Sequence, residues 1–128
     1  TWNNVHIADL ADGYILLFDQ LLAAFGPDAS PDAQSSPYLT TGREGYYFAE
    51  NGQHTWQQLS EKIGEVLHKK GLAPSKEVTS FPDDEVEDSL WGQFSWMIVG
   101  SESNCTAQRL RKLGWNPHRP SLLDSVEE

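Results

Sequence analysis

The chain has 128 residues, a length that suits one domain with a single buried core. Its 19 acidic and 9 basic side chains leave a formal charge of −10, which repels nucleic-acid phosphates and anionic lipid headgroups. We therefore expect neither nucleic acid nor a membrane as a partner. Cys105 has no second thiol for an internal disulfide, and no apolar run reaches the ~20 residues that span a bilayer. These features favour a cytoplasmic location.

A short buried strand and a long helix are predicted at the start of the chain. Val5–Ile7 is apolar at both ends and has the length of a short strand that leads into a helix. From about Asp9 to Phe25, apolar residues recur every three or four positions, which is the spacing of an amphipathic helix. Gly26-Pro27 then ends this helix, because proline cannot continue it.

An exposed loop and a second strand are predicted next. Residues 27–44 contain three prolines and no apolar period, so we predict an exposed loop. Tyr46–Phe48 is an aromatic run that precedes the turn pair Asn51-Gly52, an arrangement typical of a strand. We expect Val5–Ile7 and Tyr46–Phe48 to be parallel neighbours, joined by a right-handed crossover through the first helix.

The clearest helix signal lies in the middle of the chain. Thr55 and Gln58 have the spacing of a capping box, in which each side chain satisfies a free backbone N–H of the other residue. Apolar residues then line one face as far as Leu67, and Gly71 follows basic residues that favour a helix C-terminus. We predict a helix between these two signals.

Weaker signals mark the last third of the chain. Pro82 is followed by acidic residues, which favours a short helix, and the apolar stretch 89–100 suits either a helix or a strand. Asn104 is the predicted N-cap of a helix that Gly114 ends. A final helix is predicted to begin at Ser121.

The sequence carries no recognised motif for catalysis or metal binding. Glycines are absent from the G-x-G-x-x-G and G-x-x-x-x-G-K-[ST] spacings of nucleotide-phosphate loops, and no His or Cys pair has zinc-ligand spacing. His6 is most simply a half-buried histidine bonded to backbone, whereas a functional interpretation places it with Asp9 at the mouth of a cleft. Asp9 also suits the positive end of the helix dipole. We predict no catalytic residue and no metal ligand.

Three segments, in a fixed order, carry a resemblance to a known family. The first, Val5–Gly13, reads VHIADLADG and resembles a V-H-V-x-D-L-A segment. The second, residues 46–59, combines an aromatic strand, a turn and a Thr-Trp helix start. The third, residues 103–122, resembles an N-S-x-x-A…L-G-W-x-P…S-L ending. Together they resemble the C-terminal part of the extended and atypical short-chain dehydrogenase/reductases, the NAD(P)-dependent epimerase/dehydratase family.

The resemblance implies that residues 1–128 form a single substrate-binding lobe of a Rossmann-type enzyme. The implied fold class is α/β, helix-rich α+β in isolation, with four to five helices and a small, partly parallel sheet of two to three strands. The family's Tyr-x-x-x-Lys catalytic pair is absent from this chain. The expected partners are a missing N-terminal Rossmann domain that holds NAD(P), a small-molecule substrate and, as a further possibility, a second copy in a homodimer. This chain itself is expected to hold no cofactor.

The resemblance also assigns roles to individual residues. The candidates for the substrate side are His6, Trp91 and Trp96. The positions expected to have a structural role are Asp9, Asn51, Gly52, Asn104 and Trp115. Acidic residues occupy 83–85, where nucleotide-sugar enzymes commonly carry a basic residue. We therefore expect an aromatic or terpenoid-like carbonyl or hydroxyl compound as substrate.

Two other functions remain open. The first is a stand-alone helical module that binds protein through exposed aromatic side chains. The second is a small enzyme complete in itself, which requires Ser101, His6 and Asp9 to converge.

Overall fold

The computed structural model describes residues 1–30, 35–89 and 91–127. The chain divides into two compact units: the first comprises Thr1–Asn3, Gln53–Asn104 and Leu122–Glu128, and the second comprises Asn4–Gly52 and Cys105–Ser121. The interpretation of the chain as one lobe stays a prediction. Part of the predicted loop, residues 31–34, lies outside the described residues, as do Leu90 and Glu128.

Helix α1, Ile7–Phe25, is the longest element of the second unit and confirms the first predicted helix. It begins two residues earlier than expected because His6 is its N-cap, with the ring Nδ1 accepting the N–H of Ala8 at 3.1 Å. The predicted strand Val5–Ile7 is therefore wrong, since Ile7 is already helical. At the other end, the Gly26 N–H donates to a carbonyl in the last turn, as the Gly-Pro signal predicts.

The core of the second unit forms where α1 meets α4, Gln108–Leu113. Its buried residues are Ala107, Leu110 and Trp115, and the half-buried residues packed against them are Val5, Leu16, Leu17, Tyr47 and Ala49. Gly13 lets the indole of Trp115 approach α1, because a Cβ at that position would lie 3.2 Å from the ring nitrogen. Gly114 ends α4 in the left-handed conformation, with a φ of 109°, as predicted.

The predicted N-cap of α4 is wrong. Ala107, not Asn104, precedes the first helical residue. The Ala107 N–H donates to the carboxylate of Glu50 at 3.1 Å, so a distant side chain supplies an acceptor at this helix start. Asn104 lies in the first unit, where its Oδ1 accepts from Gln53 Nε2 at 3.0 Å.

The aromatic run Tyr46–Phe48 does not form the predicted strand. Its residues lie outside the strands, and the carbonyl of Tyr46 accepts from the guanidinium of Arg109 at 2.6 Å instead of from a neighbouring strand. The predicted parallel pairing with Val5–Ile7 is therefore not formed. Leu39, within the predicted exposed loop, is only 5% exposed, so the chain turns inward at that point.

The first unit contains a two-stranded antiparallel sheet. Strand β1, Trp2–Asn3, pairs with β2, Gln53–His54, so that Trp2 lies opposite His54. A single parallel bridge joins Trp2 to Ser103 outside these strands. The helix-rich α+β class is confirmed for the described residues, whereas the Rossmann-type sheet stays a prediction.

Helix α2, Trp56–Lys69, confirms the capping box in the first unit. The Gln58 N–H donates to Thr55 Oγ1 at 3.1 Å, and the Thr55 N–H donates to Gln58 Oε1 at 2.9 Å. Gly71 follows the helix with a φ of 71°, a conformation that glycine adopts without steric cost.

Short helices complete the first unit. The acidic segment after Pro82 forms a 3₁₀ helix, Asp83–Asp88. Within the described part of the apolar stretch, Gly92–Phe94 form a 3₁₀ turn and Ser95–Ile98 form α3. In place of the final helix predicted from Ser121, the chain forms a 3₁₀ turn at Ser125–Glu127. No helix among the described residues is long and apolar enough to cross a membrane.

Candidate functional site

An apolar groove runs along α1 in the second unit and has a volume of about 500 Å³. Its lining residues are Leu10, Gly13, Tyr14, Leu17, Phe18 and Leu21 of α1, with Gly45, Tyr46, Tyr47, Ala49 and Leu110 opposite. None of these described residues is charged, and three of them carry phenol rings. Such a lining suits a flat, apolar molecule rather than an anion.

Tyr47 anchors the wall of the groove that faces α1. Its hydroxyl accepts the Thr40 N–H at 2.8 Å and donates to the Thr40 carbonyl at 2.8 Å. The Arg109 guanidinium lies 4.5 Å from the centre of the Tyr47 ring, a distance at which a cation is attracted to the ring face. The ring is therefore held both at its hydroxyl and at its face.

Arg109 fixes the backbone of the same wall. Its Nη1 donates to the carbonyls of Glu44 and Tyr46 at 2.7 and 2.6 Å, and its Nη2 donates to the hydroxyl of Thr40. A guanidinium has several donors in a rigid plane, so one side chain can hold three acceptors in a fixed arrangement. The wall is thus positioned by side-chain contacts rather than by a β-ladder.

Glu50 continues this wall toward α4. Its Oε1 accepts from the Ala107 N–H and from Arg111 Nη1, the latter at 2.5 Å, and the side chain is only 12% exposed. Burial raises the pKa of Glu50, but the hydrogen bonds from Ala107 and Arg111 outweigh burial and hold the pKa below 4.5, its ordinary value. Arg111 Nη2 also approaches Asn51 Oδ1 at 3.5 Å.

Asp9, on the first turn of α1, is fully buried. Its two carboxylate oxygens accept the backbone N–H groups of His118 at 3.1 Å and Arg119 at 3.0 Å. Burial raises the pKa of Asp9, but these hydrogen bonds and the nearby charges of His118 and Arg119 outweigh burial and keep the pKa below 3.8. The Trp115 indole donates to the Asp9 carbonyl at 2.7 Å. Asp9 therefore fastens the segment after α4 to the start of α1.

Acid is expected to abolish the contribution of Glu50 to stability. Its pKa is lower in the folded than in the unfolded chain, so its contribution is present above about pH 4.5 and is lost as the pH falls toward the folded pKa. Urea unfolding of the wild type and of Glu50→Gln, from pH 7 to pH 2, should show a difference in unfolding free energy that shrinks with acid. A difference that stays constant over this range would contradict the role of the carboxylate charge.

The candidates for the substrate side fall in both units. In the second unit, His6 is half-buried and its Nδ1 is engaged as the cap of α1. In the first unit, Trp91 lies 6.3 Å from the ring of Trp56, which also makes an edge contact with His54. Trp96 is 64% exposed. The assignment of His6, Trp91 and Trp96 to substrate stays a prediction.

The convergence of Ser101, His6 and Asp9, which the self-contained enzyme requires, stays a prediction. Ser101 belongs to the first unit, whereas His6 and Asp9 belong to the second. The imidazole that lies near the Asp9 carboxylate is that of His118, whose Nδ1 is 3.8 Å from Asp9 Oδ1. Within residues 1–30, 35–89 and 91–127, no three His, Cys, Asp or Glu side chains cluster closely enough to hold a metal ion.

Sequence reasoning missed the side chains that build the groove wall. Arg109, Arg111 and Glu50 carry no motif of their own, and each contacts residues about 60 positions away in the chain. The available signal is compositional: residues 109–112 place three basic side chains in four positions of an otherwise acidic chain. Such a cluster indicates acceptors on a neighbouring segment.

The chain is similar to a protein named oxidase ucsJ from Acremonium sp. The two are 28% identical over 127 residues, which is 98% of this chain and 35% of that protein. The chain thus spans about a third of the length of this relative. No family model and no solved structure matches the chain.

Proposed function

We propose that this chain is the substrate-binding lobe of an NAD(P)-dependent oxidoreductase, and that the groove along α1 receives the substrate. The observation that carries the proposal is the match of nearly the whole chain to one third of a protein named as an oxidase. The three ordered motifs favour the short-chain dehydrogenase/reductase family as the source of the rest of the enzyme. The lobe then supplies binding, and the reaction belongs to another part of the polypeptide.

The N-termini of α1 and α2 are poor candidates for binding a dinucleotide. A pyrophosphate is commonly held by free N–H groups at a helix N-terminus. At α1 this position is closed by the His6 cap and lies beside the buried carboxylate of Asp9, whose charge repels an anion. At α2 the capping box of Thr55 and Gln58 occupies the equivalent donors. We therefore assign NAD(P) to another part of the enzyme and derive no redox step for this chain.

The groove suits an aromatic or terpenoid-like carbonyl or hydroxyl compound. Its lining offers apolar contacts to a ring, while the exposed Tyr14 and Tyr46 carry hydroxyls that can donate to a substrate oxygen. Tyr47 is less available for this purpose because Thr40 occupies its hydroxyl. The expected roles of the lobe are to orient the substrate and to shield it from solvent.

The isolated chain should bind 2-acetylnaphthalene, an apolar aromatic ketone, but not NADPH. In an NMR titration, we expect the ketone to shift amide resonances of residues 45–49, and Tyr46→Ala to weaken binding about 5-fold by removing one wall. Phe81→Ala is the matched control, because Phe81 is an exposed aromatic residue in the first unit.

Two outcomes would contradict the proposal. One is micromolar binding of NADPH by the isolated chain, measured by calorimetry. The other is ketone binding that Tyr46→Ala and Phe81→Ala weaken equally, because the groove would then not be the binding site.

A stand-alone protein-interaction module is the second candidate function. The observation that favours it is the row of large apolar side chains that α1 leaves exposed. Consumption of NADH or NADPH by the full-length product of the reading frame that encodes this chain distinguishes the two functions, since only the oxidoreductase predicts it.

A further inference from the structure

A group of large apolar side chains in the first unit is exposed to solvent. Trp91, Phe94, Trp96 and Met97 lie in or next to the short helices that follow the acidic 3₁₀ helix, and they are between 40% and 64% exposed. We call these four residues the aromatic surface. Aromatic residues and methionine are enriched in protein–protein interfaces relative to the rest of protein surfaces. The composition of the aromatic surface is therefore that of a contact surface for another molecule.

Hydrogen bonds and ring contacts support the backbone that carries the aromatic surface. The Ser89 hydroxyl donates to the Val86 carbonyl at 2.6 Å and lies 2.5 Å from the hydroxyl of Ser95, so it links the acidic 3₁₀ helix to α3. Val86 itself is buried. The Trp91 ring lies 6.3 Å from the ring of Trp56, the first residue of α2. A partner therefore meets a surface that is already folded and need not be ordered on binding.

Acidic side chains accompany the aromatic surface, whereas basic side chains are absent from this part of the sequence. Between Lys76 and Arg109 the chain has seven acidic residues and no Lys, Arg or His. Five of the seven belong to the 3₁₀ helix Asp83–Asp88. Within the part of the chain that the structure describes, no Lys, Arg or His side chain pairs with these five carboxylates. Their negative charge is therefore available to a cationic partner.

A basic amphipathic helix complements both features. Such a helix has an apolar row and a face of Lys or Arg side chains, and it docks by laying the apolar row on an exposed apolar surface. The aromatic surface offers the apolar contacts, and Asp83–Asp88 offers the opposite charge. We infer that the aromatic surface and the acidic 3₁₀ helix together bind a Lys- or Arg-rich amphipathic helix of a separate protein.

Charge argues against the other occupants of this surface. A second copy of the chain carries the same formal charge of −10, and an anionic bilayer repels the acidic helix in the same way. A permanent cover from the same polypeptide would form an interface of the obligate kind, which is more apolar and poorer in charged residues. Carboxylates beside exposed aromatic residues suit a reversible contact, in which opposite charge accelerates association.

The inference does not depend on the proposed function. The groove along α1 belongs to the second unit, whereas the aromatic surface belongs to the first. Trp91 and Trp96, which the family resemblance places on the substrate side, are here assigned to a protein contact. The inference thus adds a site for a protein partner to a lobe whose proposed role is to bind a small molecule.

The fluorescence anisotropy of a labelled peptide tests the inference. The probe is a rhodamine-labelled amphipathic helix of Leu and Lys, about five turns long, with its C-terminus amidated. Its control is the same peptide with Glu in place of every Lys. Each peptide is titrated with the 128-residue chain and with the full-length product of its reading frame. We expect the Lys peptide to bind both proteins, and the Glu peptide to bind at least about 20-fold more weakly.

Two double variants separate the proposed site from a general attraction to an acidic chain. Asp83→Asn with Asp84→Asn removes two charges from the acidic 3₁₀ helix, and Asp19→Asn with Asp28→Asn removes two from the second unit. Both variants have the same net charge. We expect the first to weaken binding of the Lys peptide about 10-fold and the second by less than about 2-fold.

A second pair of variants tests the apolar half of the site. Trp96→Ala should weaken binding of the Lys peptide about 10-fold, because exposed tryptophans at the centre of an interface contribute strongly to affinity. Phe25→Ala is the matched control, since Phe25 is similarly exposed but belongs to the second unit. This variant should change binding by less than about 2-fold.

Several outcomes would overturn the inference. Equal weakening by the members of either pair of variants would mean that the peptide binds elsewhere or without a defined site. Loss of peptide binding in the full-length product would mean that another part of the polypeptide covers the surface. Displacement of the peptide by 2-acetylnaphthalene would assign the surface to substrate. By contrast, specific peptide binding by a full-length product that consumes neither NADH nor NADPH would sustain the inference while removing the proposed function.

Discussion

Asp9→Ala is expected to lower the free energy of unfolding by about 3 kcal/mol, because two backbone amides lose a charged acceptor whose side chain is fully buried. The wild-type carboxylate accepts the N–H groups of His118 and Arg119, and it is fully buried. Alanine at this position leaves both amides without their partner and opens space beside them. Urea unfolding followed by circular dichroism measures the change.

Asp12→Ala is the matched control for this prediction. Asp12 lies on the same helix but is half exposed, and its contact with Arg119 is 3.8 Å long. Exposed ion pairs of this kind contribute about 0.5 kcal/mol, so the two variants should differ several-fold in their effect. If Asp9→Ala costs no more than Asp12→Ala, the buried carboxylate does not fasten the segment after α4 as we describe.

The two long helices were predictable because their signals are local. The residues that cap α2, Thr55 and Gln58, are three positions apart, and the structure confirms both bonds of the capping box. The end of α1 at Gly26 and the end of α4 at Gly114 likewise depend on one residue each. The start or the end of such a helix depends on residues within one turn of it, so the local sequence is sufficient to predict it.

The wrong predictions concern places where a distant side chain replaces a local partner. At the start of α4, the Glu50 carboxylate accepts the N–H that the predicted N-cap Asn104 was expected to serve. At Tyr46, the guanidinium of Arg109 donates to the backbone carbonyl, which a neighbouring strand would otherwise bind. Neither partner is recognisable from spacing, because both contacts join residues more than 50 positions apart in the chain.

For Asp9, the sequence predicted the position on the helix but not the hydrogen-bond partners. The expected role of Asp9 was a favourable interaction between its carboxylate and the positive end of the helix dipole. The structure instead buries the carboxylate and gives it two amides near the end of the chain. The sequence indicated the residue and its position, whereas its partners required the tertiary fold.

The apolar pattern of α1 predicted the helix but not the face that it buries. The three-to-four spacing indicates the helix correctly. Ile15 and Leu22 belong to the same apolar pattern and are nevertheless exposed in the described chain. Which apolar residues a helix buries depends on the elements that pack against it.

Trp115→Ala is expected to cost about 4 kcal/mol of unfolding free energy, the range for truncating a large buried aromatic side chain. Trp115 is 4% exposed, and its ring lies against Gly13 of α1. Its indole N–H also donates to the Asp9 carbonyl at 2.7 Å. Alanine therefore removes packing between α1 and the segment after α4 together with a buried hydrogen bond.

Two further variants keep this prediction testable if Trp115→Ala fails to fold. Trp115→Phe retains most of the apolar area but loses the indole donor, so we expect a loss of about 1.5 kcal/mol. Trp96→Ala removes the same side chain from a position that is 64% exposed, and surface substitutions of this kind usually change stability by about 0.5 kcal/mol or less. Urea unfolding should therefore rank the three variants in the order Trp115→Ala, Trp115→Phe, Trp96→Ala. Trp115 packs against Gly13 of α1. If Trp96→Ala lowered the unfolding free energy as much as Trp115→Ala, this contact would not be a main source of stability in the second unit.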